Sequence, residues 1–228
     1  MSSHAFAQTM SLDMGSGNSF TGRVFQMMML ITVISLAPTL LVTVTSFTRI
    51  VVVFSFLRTA MGLQQSPPNN VIISLALFLT LFIMSPTLEK AYDDGIAPLI
   101  AETITESEAF DRTTKPLKEF MLINIREADL EFFIHLSKKT FDAPSAMPLT
   151  LVIPAFILSE LRRAFEIGFL LFIPFIVIDL LVASILMSMG MMMMPPVMIS
   201  LPFKLIFFVM VDGWRLVTES LVRGYLTG

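Results

Sequence analysis

The sequence predicts an all-α membrane protein with about four hydrophobic, proline-kinked helices and a small helical soluble insertion. Three observations predict it. Of 228 residues, 55% are hydrophobic and only 14% charged, where a soluble domain carries roughly 25% charged residues. The charges are segregated: 25 uncharged positions separate Arg23 from Arg49, more than the about 20 residues that cross a bilayer. Finally, 12 of the 18 acidic residues fall between positions 89 and 147.

The same counts exclude several function classes. A net charge of −3 carries no electrostatic footprint for nucleic acid. Cysteine is absent, and His4 and His135 lie far apart, so neither a thiolate nucleophile nor a Cys/His metal site is predicted. No cofactor is implied.

In chain order, residues 1–22 are polar, with Ser, Gly and Asn, and predict a flexible N-terminus. Ala5-Phe6-Ala7 resembles the A-x-A end of a secretory signal peptide without the basic and apolar regions that normally precede it. The expectation is a chain that begins within a longer precursor or whose start is misplaced. Residues 23–88 carry hydrophobic helices one and two, near 24–45 and 71–88, with 46–70 as their connection. Within that connection, Gln64-Gln65-Ser66-Pro67-Pro68-Asn69-Asn70 is a sharp polar break, and Asn70 is placed to cap the following helix.

Residues 89–147 form the acidic insertion. Leu117, Met121, Ile125, Ala128 and Phe132 recur at helical spacing and predict one amphipathic helix over 117–134. Asp142–Pro148 reads as a linker back to the membrane. Residues 148–228 carry helices three and four, near 165–189 and 197–222, joined by a methionine-rich loop. Pro38, Pro86, Pro174 and Pro202 predict kinks. An exported, periplasmic insertion puts 46–70 and 190–196 on the cytoplasmic side, but the Lys and Arg near the helix ends favour neither orientation.

Four features carry candidate chemistry. Met187–Pro196 reads MSMGMMMMPP; Gly190 ends one helix and the proline pair delays the next, which predicts a tight loop. Its thioethers, Met191 to Met194, suit an adaptable apolar seal or plain core filling. They are soft enough for copper(I), which the missing Cys and His disfavour. Asp179, Lys204 and Asp212 lie inside apolar segments, where charge is costly and pairs with a partner or faces water. Lys204 neutralising one aspartate is the favoured reading, against an aspartate pair cutting peptides inside the membrane. Glu160, Arg162, Arg163 and Glu166 form a charged knot, either a solvated helix end or an ionic contact between subunits. No nucleophile elbow is present and the two halves show no repeat of the transporter kind, so no enzymatic role is expected.

Several strings are informative together. They are Thr48-Arg49-Ile50, Gly62-Leu63-Gln64-Gln65-Ser66-Pro67-Pro68-Asn69, Pro154-Ala155-Phe156-Ile157-Leu158-Ser159-Glu160-Leu161, Pro174-Phe175-Ile176-Val177-Ile178-Asp179, Leu201-Pro202-Phe203-Lys204 and Asp212-Gly213-Trp214. With Gly190-Met191-Met192-Met193 they resemble the FliP family of flagellar type III export-gate proteins over residues 24–88 and 150–222. The virulence counterpart is SctR; Leu201-Pro202-Phe203-Lys204 favours the flagellar branch.

The resemblance implies a channel-forming subunit that passes unfolded flagellar proteins across the bacterial inner membrane at the basal body. It implies a pentameric homo-oligomer with FliQ and FliR, with FlhA, FlhB and membrane lipid as neighbours. It also implies a cleavable signal peptide, helices that need not cross the bilayer conventionally, Met191, Met192, Met193 and Met194 as a channel gasket, and Glu160, Arg162, Arg163 and Glu166 at subunit contacts.

Overall fold

The computed structural model describes residues 20–141, 143–191 and 193–226. Most of the N-terminal segment, with Ala5–Ala7, lies outside the described residues, as does Asp142. Every regular element among the described residues is helical. The chain divides into two compact units, Met1–Leu40 and Leu41–Gly228.

Helix α1 spans Phe20–Thr43, close to the expected 24–45. Two of its hydroxyls bond within the helix: Thr32 Oγ1 donates to the Met28 carbonyl at 2.8 Å and Ser35 Oγ to the Ile31 carbonyl at 2.7 Å. That is how a polar side chain is tolerated in an apolar helix.

The expected connection 46–70 instead contains a helix, α2, Phe47–Ala60. Ile50, Val53, Phe54, Leu57 and Ala60 form a buried stripe at helical spacing and sit at the centre of the larger core. The helix is too short to cross a bilayer and is bounded by Arg49 and Arg58, so only its packing, mainly on α7, explains it. The polar break then leads into α3, Asn69–Ala91, near the expected 71–88. Asn70 does not cap it: Pro68 holds the N-cap, and Asn69 accepts from Arg58 Nη1 at 2.6 Å. One π-helical turn, Tyr92–Ile96, passes α3 into the short α4, Ala97–Ile100.

The amphipathic helix expected over 117–134 is two helices, α5 (Glu106–Asn124) and α6 (Glu127–Ser137). Ile125 and Arg126 are extended, with ψ of 138° and 137°. This break turns the apolar stripe. Met121 and Ile125 are buried in a second core with Leu151, Val152, Ala155 and Phe156, whereas Ala128 and Phe132 are exposed and Asp129 is buried. The α5 start follows capping chemistry: Thr105 Oγ1 accepts the Glu108 N–H at 3.4 Å, with Glu106 and Glu108 in the first turn. Rather than standing apart, α5 packs on α3 and α7, and α6 on α7.

The third hydrophobic helix is far longer than 165–189. Helix α7 runs Leu149–Ser188, 40 residues, or about 60 Å at 1.5 Å per residue, through Pro154 and Pro174. The charged knot does not end it, because Glu160 is neutralised inside the protein while Arg162 and Glu166 lie on the outer face. Gly168 permits close α2–α7 packing, since a Cβ there would stand 2.5 Å from the Phe56 ring.

The fourth expected helix, 197–222, is broken into α8 (Pro196–Met210) and α9 (Gly213–Leu226), bent by 60°. The bend falls not at Pro202 but at Asp212, whose φ is +51°. Two helical stretches are long and apolar enough to cross a membrane among the described residues, 69–100 and 149–188; the bent pair makes a third if counted as one span.

Candidate functional site

Helices α2, α7 and α9 meet at a buried carboxylate. Glu160, in the N-terminal half of α7, is fully buried, as is Arg49 on α2. Arg49 Nε donates to Glu160 Oε2 at 2.8 Å and Nη2 donates to Oε1, a two-pronged ion pair. Tyr225 Oη, near the end of α9, also donates to Glu160. The Arg49 guanidinium lies 3.7 Å from the centre of the Tyr225 ring, and Phe120 of α5 stacks on the same ring at 5.9 Å. Arginine alone offers charge, a planar fork and a stacking face together. Every lone pair of the buried carboxylate that needs a donor finds one at short range, as burial of charge demands.

A second ionic group joins α7 to α8. Lys204 is buried and its Nζ lies 2.7 Å from Asp179 Oδ2 and 3.3 Å from the Ala60 carbonyl. Ser200 Oγ lies 2.5 Å from the other oxygen, Asp179 Oδ1. Lys204 thus pairs with Asp179 and not with Asp212, which is exposed at the α8–α9 bend and forms no ion pair among the described residues. With its carboxylate committed to Lys204 and Ser200, Asp179 does not make the shared-proton aspartate pair that peptide hydrolysis requires.

The charged knot divides in two. Glu160 faces inward and pairs across the fold with Arg49, not with Arg163 three residues on. Arg162 and Glu166 are exposed and lie 3.7 Å apart on one face, with Arg126 Nη1 donating to Glu166 Oε1 at 2.9 Å. Arg163 is half-buried. Beneath them Ser159 Oγ donates to the buried Asp129 at 2.8 Å and accepts the Arg126 N–H at 3.1 Å. That bond satisfies the backbone where α5 gives way to α6. Sequence reasoning missed Arg49, Tyr225, Asp129 and Ser200. Only Arg49 carried a signal: an arginine within an apolar stripe needs an acid.

The methionine turn stands apart from all of this charge. Gly190, at φ +76°, ends α7. Its N–H bonds to the Met187 carbonyl at 3.1 Å and the Met191 N–H to the Leu186 carbonyl at 3.0 Å, the paired bonds of a Schellman turn. Nothing lies within 4 Å of where a Gly190 Cβ would stand. Met191, Met193 and Met194 are exposed, Met193 at 98%; Met192 lies outside the described residues. Below the turn, Ile178, Leu181, Ile185, Met189, Ile199 and Phe203 line a wholly apolar groove between α7 and α8. No group of three or more His, Asp or Glu side chains is placed to hold a metal among the described residues.

A sequence model described as the FliP family matches residues 30–221. The chain is 57% identical to "Flagellar biosynthetic protein FliP" of Caulobacter vibrioides, over 100% of this chain and 86% of that one. It is 50% identical to the protein of the same name in Bacillus subtilis, covering 88% and 91% of the two chains. The Aquifex aeolicus protein of that name is also 50% identical, over 94% and 90%. With a family model matching residues 30–221 and identity of this level over nearly the whole length, the chain belongs to the FliP family.

Proposed function

We propose that this chain is a channel-forming subunit of the flagellar type III protein export gate and that it passes unfolded flagellar proteins across the bacterial inner membrane. In this reading it assembles as a pentamer with FliQ and FliR beside FlhA and FlhB, and performs no chemistry of its own. The names of its relatives favour the flagellar over the virulence branch.

The observation that carries the reading is the separation of charge from the methionine turn. The charges of α7 and α8 that lie deepest are consumed within the chain, while the sequence that joins these helices, MGMMMMPP, carries no charge. A passage for chains of any sequence needs a wall that attracts no particular side chain and a closure that adapts. Flexible, polarizable methionines close on each other or on a moving chain without fixed hydrogen-bond demands. Much of α7 and α8 keeps its apolar surface exposed, more than a monomeric soluble protein tolerates, and this supports burial against lipid and other subunits.

The native mass of the detergent-extracted protein, expressed with and without FliQ and FliR, tests the assembly. A discrete complex with several copies of this chain is expected. A monomer or dimer indifferent to those partners refutes it.

A further inference from the structure

The buried cations of this chain each meet a carboxylate, Arg49 at Glu160 and Lys204 at Asp179. Arg58, half-buried near the end of α2, does not. The sequence holds no acid between Asp13 and Glu89, and Arg58 forms no ion pair among the described residues. The other half-buried cations stand near acids. Arg126 pairs with Glu166 and Lys118 adjoins Glu119 in the acidic insertion. Arg163 lies three residues from both Glu160 and Glu166, and its charge reaches Tyr225 beside Glu160. Arg58 has only neutral oxygens: its Nη1 donates to Asn69 Oδ1 at 2.6 Å and to the Pro67 carbonyl at 3.3 Å. Its Nε and Nη2 find no acceptor among the described residues. That open edge is the one with which a guanidinium grips a phosphate through two parallel bonds.

The surroundings suit an anion. Arg58, Gln64, Gln65, Pro68 and Asn69 line a cleft of about 400 Å³ with no carboxylate in its wall. Gln64 and Gln65 are exposed, and their amides form no hydrogen bond within the chain among the described residues. The cleft also lies where α3 begins, and residues 69–100 are long and apolar enough to cross a membrane. Just past the cleft, Val71, Ile73, Leu77 and Phe78 are exposed. The start of a bilayer-length helix lies at the level of the lipid headgroups, immediately outside a hydrocarbon layer roughly 30 Å thick. We propose that Arg58, Gln64, Gln65 and Asn69 form a binding site for the phosphate of an anionic phospholipid, whose acyl chains run along the exposed apolar side of α3. The Nε–Nη2 edge of Arg58 donates to two phosphate oxygens, and the Gln64 and Gln65 amides donate to the headgroup. A basic pocket beside a membrane helix is the usual form of such a site, and the dipole of α3 adds to the attraction.

The full chain with its partner subunits is purified in detergent and titrated with phosphatidylglycerol or with phosphatidylcholine, and bound lipid is counted by native mass spectrometry. One phosphatidylglycerol per copy of this chain should bind about tenfold tighter than phosphatidylcholine. Arg58→Gln should remove that lipid, and Arg58→Lys should keep only part of the preference, because an ammonium cannot fork. Arg58 also holds Pro67 and Asn69 in place, so a second variant leaves its bonds intact. Gln64→Glu with Gln65→Glu puts negative charge into the cleft on two exposed side chains and should remove the same lipid. Arg215→Gln, at an exposed arginine of α9 outside the cleft, should leave it bound. No preference in the native complex overturns the site, as does a preference that survives both Arg58→Gln and the doubly acidic variant. A loss as large in Arg215→Gln as in Arg58→Gln reduces the effect to diffuse charge and overturns it too. If inorganic phosphate at equal concentration displaces the lipid, the ligand is a free anion and the lipid assignment falls.

Discussion

Replacing Glu160 by Leu tests whether the buried carboxylate holds the subunit together or joins it to others. Glu160 and Arg49 are both buried. Removing the acid strands a cation in the interior, which costs about 3–5 kcal/mol; the Tyr225 hydroxyl loses its acceptor in the same step, so the upper part of that range applies. Removing the whole group is different. Glu160→Leu with Arg49→Met and Tyr225→Phe exchanges polar for apolar atoms of similar volume and should recover to within about 1–2 kcal/mol of the native chain.

The assay is denaturation of the detergent-solubilised monomer, followed by the fluorescence of Trp214, the chain's one tryptophan. Its ring meets Phe54 of α2 at 6.1 Å and Phe208 of α8 at 5.5 Å, so it reports on the helices the carboxylate ties. Glu166→Leu, which breaks only exposed pairs, should cost under about 1 kcal/mol. A Glu160→Leu protein within about 1 kcal/mol of native, or a triple variant no better than the single one, refutes the reasoning. A loss that appears only at concentrations where subunits associate returns Glu160 to a subunit contact.

Four further outcomes are expected. In the same denaturation assay Asp179→Leu should cost more, about 3 kcal/mol, than Lys204→Met at about 1–2 kcal/mol, because the lysine is the buried partner whereas the aspartate side chain is 33% exposed; the reverse order overturns the assignment. Gly190→Ala should cost about 1–2 kcal/mol through its backbone alone, since the space around it is open, and Gly190→Asn should cost less. Gly168→Ala should destabilise by about 1–3 kcal/mol by pressing on Phe56 at its Cγ and Cβ; a neutral effect would mean that α2 and α7 part easily. Replacing Met191 to Met194 together by Ala should leave native-gel mobility unchanged while raising ion leakage through the assembled complex, and unchanged leakage counts against the seal.

How much of this was legible depends on how far apart in the chain the causes lie. Helix α3 and the methionine turn were readable because their signals are local: a polar break before an apolar run, and Gly190 followed within six residues by Pro195 and Pro196. Asp179 and Lys204 stood out because a charge within an apolar run is conspicuous without its partner in view. Helix α2 was lost because Arg49 and Arg58 cut its apolar run below the length of a span, and what makes Arg49 tolerable is an acid 111 residues later. The break between α5 and α6 was hidden for the same reason, since the group that satisfies Arg126 is Ser159, 33 residues on in another helix.

The two kinds of site therefore differ in what their sequences must specify. An ion pair in the interior needs a partner at one distance and one angle, which is why Arg49, Glu160 and Tyr225 come from three helices and why losing one member strands the others. The turn needs no partner at all. Its requirements are a glycine that closes α7, prolines that delay α8, and side chains that are apolar and pliable, all of which ten consecutive residues supply. A seal of that kind tolerates exchange of one methionine for another apolar residue far better than the frame tolerates loss of Glu160. The single Met193→Leu variant should accordingly export and seal as the native protein does, while Glu160→Gln, which keeps the size and removes the charge, should lower the amount of folded subunit in the membrane. If Met193→Leu impaired export as severely as Glu160→Gln lowered folding, the turn would be making a specific contact, and the adaptable seal would be the wrong description of it.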